Sequence, residues 1–206
     1  MTAIVNVGYD STNYYVLGQG RQRLLVDVGW PNTLPKLLFT LKRKDIPLEH
    51  IGHLLATHYH PDHAGLAQEL KARGVRLVVI DLQRPFIPLL RRVMKPDHRF
   101  VDIALHDNAE IACEASRAFL STLGIAGDIV HTPGHSDDSV SLVLDEGVAF
   151  TGDLTSPFAI DDTIAERVLA SWALLRAKGV RSVYPGHGPS PRPIPPPSGH
   201  DGLPVK

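Results

Sequence analysis

The sequence predicts a mixed α and β fold in which short strands alternate with helices. Three short apolar runs, at residues 3–7, 14–17 and 24–28, are separated by glycine-containing turns, which is typical of a β-meander. Two longer segments, residues 34–44 and 161–178, have apolar residues at helical spacing and predict amphipathic helices. The pattern alone indicates mixed secondary structure, and a length of 206 residues favours a single domain.

The predicted alternation of strands and helices continues to residue 188. Further strands are predicted at residues 51–56, 76–80, 128–130, 139–144, 148–150 and 180–183, and further helices at residues 64–70, 85–94 and 114–123. From Pro189 onward, seven prolines and no apolar periodicity predict an extended or disordered tail at residues 189–206. We therefore expect a folded domain at residues 1–188, and we expect deletion of the tail to leave folding nearly intact.

Composition argues against several classes of function. The net charge is −1, so no strong field attracts nucleic acid or an anionic membrane, and we expect neither as a partner. No apolar run is long enough to span a bilayer and no signal-peptide pattern is visible, so we expect a cytoplasmic protein. The single cysteine, Cys113, excludes an intrachain disulfide and is more typical of a small buried hydrophobe than of a nucleophile.

The most informative stretch is residues 57–63, where three histidines and one aspartate follow an apolar strand. If the chain stays extended beyond that strand, His58 and His60 point to the same face, because side chains alternate along a strand. A proline then breaks the extension and leaves Asp62 and His63 in a turn. Imidazole and carboxylate ligands suit zinc, and also iron or manganese. A solvated histidine-rich loop is the alternative, and the density of ligand-type residues argues against it.

Three later strands each end in a ligand-type residue close to a glycine. These residues are His135, Asp153 and His187. Because glycine lets backbone segments approach closely, we expect these strand ends to form one rim of a sheet structure together with residues 57–63. The remaining histidines belong to no such block, and we interpret them as surface or core residues.

The complete pattern is His58-x-His60-x-Asp62-His63 followed by His135, Asp153 and His187. It resembles the ligand set of the metallo-β-lactamase superfamily of hydrolases, and the resemblance covers roughly residues 4–187. It implies an α+β fold, a four-layer αβ/βα sandwich in which two mixed, mostly antiparallel sheets pack face to face with helices outside. It also implies two divalent metal ions as cofactors, with zinc the first expectation and iron or manganese as alternatives.

The same resemblance assigns roles to individual residues. The first metal would be bound by His58, His60 and His135, the second by Asp62, His63 and His187, and Asp153 would bridge the two. Asp62 would also be catalytic, because it can orient the attacking water. Asp27, at the end of the third predicted strand, would lie behind the metals and orient a ligand. A strand-end turn aspartate is the alternative for Asp27.

Two metals held close together can share one water and lower its pKa toward ~7, which supplies hydroxide at neutral pH. We therefore predict a binuclear hydrolase in which metal-bound hydroxide attacks the carbonyl of a small-molecule ester, lactone or thioester. Phosphodiester hydrolysis on the same site is the runner-up. A mononuclear iron-dependent dioxygenase using only His58, His60 and His135 is an alternative from another class of enzyme, and a non-catalytic metal-binding module is a third reading. In the best-known class of true metallo-β-lactamases a cysteine occupies the position of Asp153, which disfavours antibiotic hydrolysis.

Four apolar residues are candidates for substrate contacts. Trp30 follows a strand that contributes to the predicted rim, and Phe158 follows Asp153 closely. Phe86 and Ile87 lie in a segment that, in the superfamily, often leans over the site. Core packing is the alternative for such residues. The oligomeric state is undecided by the sequence, and a homodimer is one alternative.

Overall fold

Two β-sheets form the centre of the molecule in the computed structural model, which describes residues 1–197. The first sheet has six strands in chain order: β1 (Ile4–Asn6), β2 (Tyr15–Leu17), β3 (Arg23–Val26), β4 (Ile51–Leu55), β5 (Arg76–Ile80) and β6 (Ala109–Ile111). The second sheet has five strands in the order β11-β10-β9-β8-β7: β7 (Gly127–His131), β8 (Val140–Leu144), β9 (Val148–Gly152), β10 (Ser182–Pro185) and β11 (Arg192–Pro193).

Within residues 1–197, five α-helices surround the sheets: α1 (Leu34–Arg43), α2 (Pro61–Ala64), α3 (Ala67–Lys71), α4 (Ser116–Thr122) and α5 (Ala165–Ala177). The helical segment predicted at residues 85–94 is a 3-10 helix at Ile87–Val93. Helix α5 begins later than residue 161, since the Asp161 carboxylate accepts a hydrogen bond from Thr163 N at 2.9 Å in a preceding turn. No helix among residues 1–197 is both long and apolar enough to cross a membrane.

Both sheets are mixed, as predicted. The second sheet is mostly antiparallel, with one parallel pairing between β9 and β10. The first sheet opens as the predicted antiparallel meander β1–β3, but its pairings from β3 to β6 are parallel, because helical crossovers separate these strands. The strands β3 and β4 therefore end at one edge of the first sheet, and β7, β9 and β10 end at one edge of the second.

Three clusters of buried side chains define four layers. The first packs α1, α2 and α3 on the outer face of the first sheet, the second fills the space between the sheets, and the third packs α5 on the outer face of the second sheet. Consecutive residues of a strand belong to different clusters because successive side chains point to opposite faces of the sheet. In β4, Leu54 belongs to the first cluster and Leu55 to the second. The apolar face predicted for α5 is buried as expected, since Val168, Trp172 and Leu175 are fully buried. The predicted sandwich with helices outside is confirmed.

The predicted tail is extended, but its first part packs on the domain. Strand β11 pairs with β10, the Tyr15 hydroxyl donates a hydrogen bond to Ser190 Oγ at 2.7 Å, and Ile194 N donates to Arg181 O at 3.0 Å. Ile194 also packs against the third cluster. The folded unit therefore extends past the predicted boundary at residue 188, because backbone pairing and an apolar side chain tie this segment to the second sheet. Residues 198–206 of the predicted tail lie outside the described residues.

Candidate metal centre

All seven predicted ligands lie at one place, where the C-terminal ends of strands from both sheets meet. The first four follow β4 and the others follow β7, β9 and β10: His58, His60, Asp62 and His63, then His135, Asp153 and His187. Two backbone hydrogen bonds join the sheets here, from Val140 N to Thr57 O at 2.8 Å and from Asn13 N to Gly186 O at 2.7 Å. The fold thus brings together ligand-type residues that are far apart in the chain.

His58, His60 and His135 form the first group, which contains only imidazoles. One ring nitrogen from each lies within 4.8 Å of the others, and His60 Nδ1 is 3.0 Å from His135 Nε2. Tetrahedral zinc with bonds of about 2.0–2.1 Å holds its ligand nitrogens roughly 3.3 Å apart, so a small movement suffices to bind it. His58 Nε2 is buried and has no hydrogen-bond partner among the described residues, as expected of a nitrogen that faces a metal.

Asp62, His63 and His187 form the second group. His187 Nε2 lies 3.2 Å and His63 Nε2 lies 3.6 Å from Asp62 Oδ2. Asp153 lies between the two groups, with Oδ1 3.2 Å from His63 Nε2 and Oδ2 3.4 Å and 3.7 Å from the Nε2 atoms of His187 and His135. Its carboxylate therefore approaches imidazoles of both groups, and the chemistry of these residues fits the binding of divalent metal ions.

The electrostatics of the first group and of Asp153 favour metal ligation. Burial and the surrounding imidazoles hold the pKa of His58 well below its usual value, and burial also lowers the pKa of His135. Both rings are therefore neutral at pH 7, the form that binds metal. Burial raises the pKa of Asp153, but the imidazoles of His63, His187 and His135 outweigh this effect and lower it below the usual value. Asp153 is therefore a charged carboxylate among imidazoles.

Asp27 supports the second group from behind. It is 2% exposed; its Oδ2 accepts a hydrogen bond from His63 Nδ1 at 2.9 Å, and its Oδ1 accepts one from Thr57 N at 2.6 Å. Burial lowers the pKa of His63, but the carboxylates of Asp27 and Asp153 outweigh it and raise the pKa to about 10. A carboxylate behind a ligating imidazole fixes the tautomer and makes the other ring nitrogen a stronger ligand. The family resemblance implies a contact of this kind for Asp27, and its role in orienting a metal ligand stays a prediction.

Two glycines let the backbone pass close to these side chains. A Cβ atom at Gly186 would lie 2.5 Å from Asp153 Oδ1 and 2.6 Å from His63 Cε1. Gly152 has a φ of +50°, and a Cβ atom there would collide with Thr57 Oγ1. The glycines beside the predicted ligands therefore make room for the ligand side chains and for the threonine that binds Asp27.

Residues of the β1–β2 loop hold two of the ligands, and sequence reasoning missed them. Thr12 Oγ1 donates a hydrogen bond to Asp62 Oδ2 at 3.2 Å. His187 Nδ1 donates to the carbonyl oxygen of Ser11 at 2.8 Å, which leaves Nε2 free to bind a metal. Neither residue belongs to a recognisable motif, so no signal in the sequence marks them.

Two buried polar residues support the His58–His60 segment and were also missed. Asp138 Oδ2 accepts a hydrogen bond from Tyr59 N at 2.7 Å. Gln83 Nε2 lies within hydrogen-bond distance of three carbonyl oxygens, those of Ala56, Thr57 and Asp138. Asp138 lies three positions after the predicted ligand His135, and this proximity was a signal that the sequence offered. Gln83 had no such signal.

One cavity of about 320 Å³ opens onto the metal centre. Its lining includes His135, Asp153 and His187 at one end and Ser156 and Arg192 elsewhere. A larger cavity of about 700 Å³, lined mainly by residues 6–13, contains none of the seven ligand candidates. The smaller cavity is therefore the better candidate for a substrate site.

The four apolar residues predicted to contact substrate do not line this cavity. Ile87 is 3% exposed and packs in the first core cluster, which is the core-packing alternative given for it. Phe86 is half-buried beside it. Trp30 and Phe158 are exposed, and the Trp30 ring contacts the ring of His98 at 5.2 Å between centroids.

Comparison with known proteins identifies the family. The family model of the metallo-beta-lactamase superfamily matches residues 7–193. The chain belongs to the metallo-beta-lactamase superfamily. It is 32% identical over 185 residues to the Beta-lactamase-like protein 2 homolog of Drosophila melanogaster, covering 86% of this chain and 58% of that protein. It is 31% identical over 184 residues to an Atrochrysone carboxyl ACP thioesterase of Aspergillus terreus, covering 86% of this chain and 49% of the relative. The chain thus spans about half the length of these curated relatives, and the predicted family is confirmed.

Solved structures share the fold. A metallo-beta-lactamase family protein of Thermus thermophilus superposes with a TM-score of 0.71 at 22% identity, over 94% of this chain and 75% of that one. The BLEG-1 B3 metallo-beta-lactamase superposes with a TM-score of 0.69 at 25% identity, over 94% of both chains. The predicted architecture is therefore that of the family.

Proposed function

We propose that the protein is a binuclear metal-dependent hydrolase that cleaves an ester, lactone or thioester bond of a small-molecule substrate. One observation carries this proposal: two three-residue ligand groups lie on either side of the Asp153 carboxylate. Imidazole and carboxylate ligands suit zinc, with iron or manganese as alternatives. Membership of a superfamily of metal-dependent hydrolases supports the same class of enzyme.

Metal ions bound here would supply a Lewis acid and lower the pKa of a bound water toward ~7. The burial of the ligand candidates determines the direction from which a substrate can approach the metal site. His58 and His63 are fully buried, whereas the side chains of His135 and His187 are 29% and 41% exposed, so the substrate reaches the site from the side of the last two. Asp62 is held by Thr12 and is 21% exposed, and as the catalytic carboxylate it would accept a hydrogen bond from the attacking water.

The surroundings favour a small carbonyl substrate. A cavity of about 320 Å³ lies within the range of small-molecule sites. Among the carbonyl substrates a thioester has additional support, because the Aspergillus terreus relative is a thioesterase by name. Burial, with Glu114 and Asp81 nearby, raises the pKa of the Cys113 thiol to about 11, so this residue is no thiolate nucleophile at neutral pH.

The alternatives have less support. A mononuclear dioxygenase that uses only His58, His60 and His135 leaves the second ligand group without a role. Phosphodiester hydrolysis uses the same ligands, and only a substrate panel separates it from carbonyl hydrolysis. The cytoplasmic location, the homodimer, and the lack of nucleic-acid or membrane partners stay predictions from the sequence.

Metal analysis combined with a substrate panel tests the proposal. After reconstitution with zinc we expect close to two ions per chain, loss of hydrolysis on chelation and recovery when zinc is returned. The panel contains a nitrophenyl ester, a lactone, a thioester and a phosphodiester. His135→Ala should lose metal from the first group, whereas the matched control His131→Ala, whose ring bonds to Asp137 O and to no ligand candidate, should keep both ions. One ion or none in the reconstituted wild type contradicts a binuclear site, and turnover of the phosphodiester alone would replace the proposed reaction.

A further inference from the structure

Arg192 lies in the cavity that opens onto the metal centre. It belongs to β11, whose backbone is fixed by pairing with Val183 and by a hydrogen bond from Ser182 Oγ to Arg192 O at 3.1 Å. Arg192 lines the same cavity as His135 and His187. One wall of a small cavity therefore carries the metal-ligand candidates and another carries a permanently charged guanidinium.

The guanidinium of Arg192 has no hydrogen-bond or ion-pair partner in the described part of the chain. Its Nε atom is buried and makes no hydrogen bond, and no ion pair joins it to a carboxylate among residues 1–197. Other arginines are paired: Arg91 binds Asp102, and Arg117 binds two aspartates. A buried donor without an acceptor is costly, and the guanidinium fork is suited to planar anions such as carboxylate or to phosphate.

We infer that Arg192 forms an anion-binding subsite beside the metal centre, so that the substrate carries a carboxylate or phosphate group close to its scissile carbonyl. This inference rests on the proposed function and narrows its substrate class. Thr155 and Ser156 line the same cavity, and hydroxyl groups are donors that such an anion accepts. The Thr155 carbonyl accepts a hydrogen bond from the buried Trp172 indole at 2.8 Å, which fixes this wall of the cavity.

Removal of the Arg192 side chain is a clean perturbation of the subsite. The pairing of β11 uses backbone atoms, and the Arg192 side chain makes no hydrogen bond or ion pair within the described chain that its loss would break. Arg192 acts in binding rather than in bond cleavage, so its loss should raise KM and leave kcat nearly unchanged. Melting temperature and metal content should match those of the wild type.

Two substrates with the same leaving group test the inference: 4-nitrophenyl acetate, which is neutral, and the mono-4-nitrophenyl ester of succinic acid, which carries a carboxylate. With the zinc-loaded full-length protein, Arg192→Ala should raise KM for the succinate ester about 10- to 100-fold, as expected for the loss of a charge-assisted hydrogen bond. KM for the acetate should change by less than about 2-fold. Arg192→Lys should recover part of the loss. Arg73→Ala, an exposed arginine that bonds to Glu69 O, is the matched control.

A second pair separates carboxylate from phosphate: acetyl-coenzyme A carries phosphates, and S-acetyl-N-acetylcysteamine is its neutral counterpart. A KM rise in Arg192→Ala for the succinate ester or for the coenzyme A thioester supports the subsite and identifies its anion. An equal rise in KM for charged and neutral substrates, or an unchanged KM for both pairs, overturns the inference. If the wild type cleaves none of the four and also no lactone of the substrate panel, the proposed function fails, and calorimetry with succinate and inorganic phosphate then decides the subsite. Weaker binding to Arg192→Ala supports it and equal binding overturns it.

Discussion

The substitution Asp27→Asn tests how the buried carboxylate controls the second metal. Asp27 has a φ of +62°, a conformation that asparagine also tolerates, so the local backbone should be kept. The carboxylate accepts hydrogen bonds from His63 Nδ1 with one oxygen and from Thr57 N with the other. An amide has only one oxygen and therefore cannot serve both donors.

Either orientation of the new amide is costly. If its oxygen faces Thr57 N, its NH2 group donates to His63 Nδ1 and places the ring proton on Nε2, the atom that faces Asp62 and Asp153. If its oxygen faces His63, the NH2 group meets the Thr57 N–H and a buried donor stays unsatisfied, at a cost of about 1–3 kcal/mol. Since 1.4 kcal/mol is tenfold, affinity for the second metal should fall about 5- to 150-fold.

Competition between the protein and a chromophoric zinc chelator measures this loss. The first metal should be bound nearly as in the wild type, because His58, His60 and His135 do not contact Asp27. Asp138→Asn is the matched control: Asp138 is also buried and accepts a backbone hydrogen bond, but no imidazole bonds to its carboxylate among the described residues. Its second-metal affinity should equal that of the wild type. Two tightly bound metals and full turnover in Asp27→Asn would refute the role given to this carboxylate.

Two further predictions follow from the same contacts. Asp153→Asn should fold normally, keep about one metal and lose ~100-fold or more in turnover, because the three imidazoles of the first group already form a viable site; full activity with two metals would refute the bridging position. A chain ending at residue 188 should melt about 5–10 °C below one ending at residue 197, because it loses the β11 pairing and the packing of Ile194, worth roughly 2–3 kcal/mol. Equal melting temperatures in calorimetry would show that this segment contributes nothing to stability.

The sequence by itself determined the ligand-bearing segment and the family. Residues 58–63 are contiguous, so one segment of the chain brings four ligand-type side chains to the same place. Strand β4 ends at Leu55 and the chain bends at His58 and His60, so the extended continuation that the prediction assumed does not form. The two rings nevertheless lie 4.5 Å apart between centroids. The buried face of α5 around Trp172 could also be predicted from local sequence, because apolar residues at a period of 3.6 indicate it without knowledge of the sheet on which the helix packs.

The tertiary structure decided what surrounds those ligands. Ser11 and His187 are 176 residues apart, and Gln83 reaches carbonyl oxygens 26 to 55 residues away, so no local pattern connects them. The direction of Ile87 depended on a 3-10 turn that its apolar neighbours do not specify. Arg192 lies in a proline-rich segment without periodicity, and it reaches the cavity only because β11 adds to the edge of the second sheet. A segment can pair at a sheet edge only where the edge strand has backbone groups without a partner, and only the assembled fold determines which strand that is.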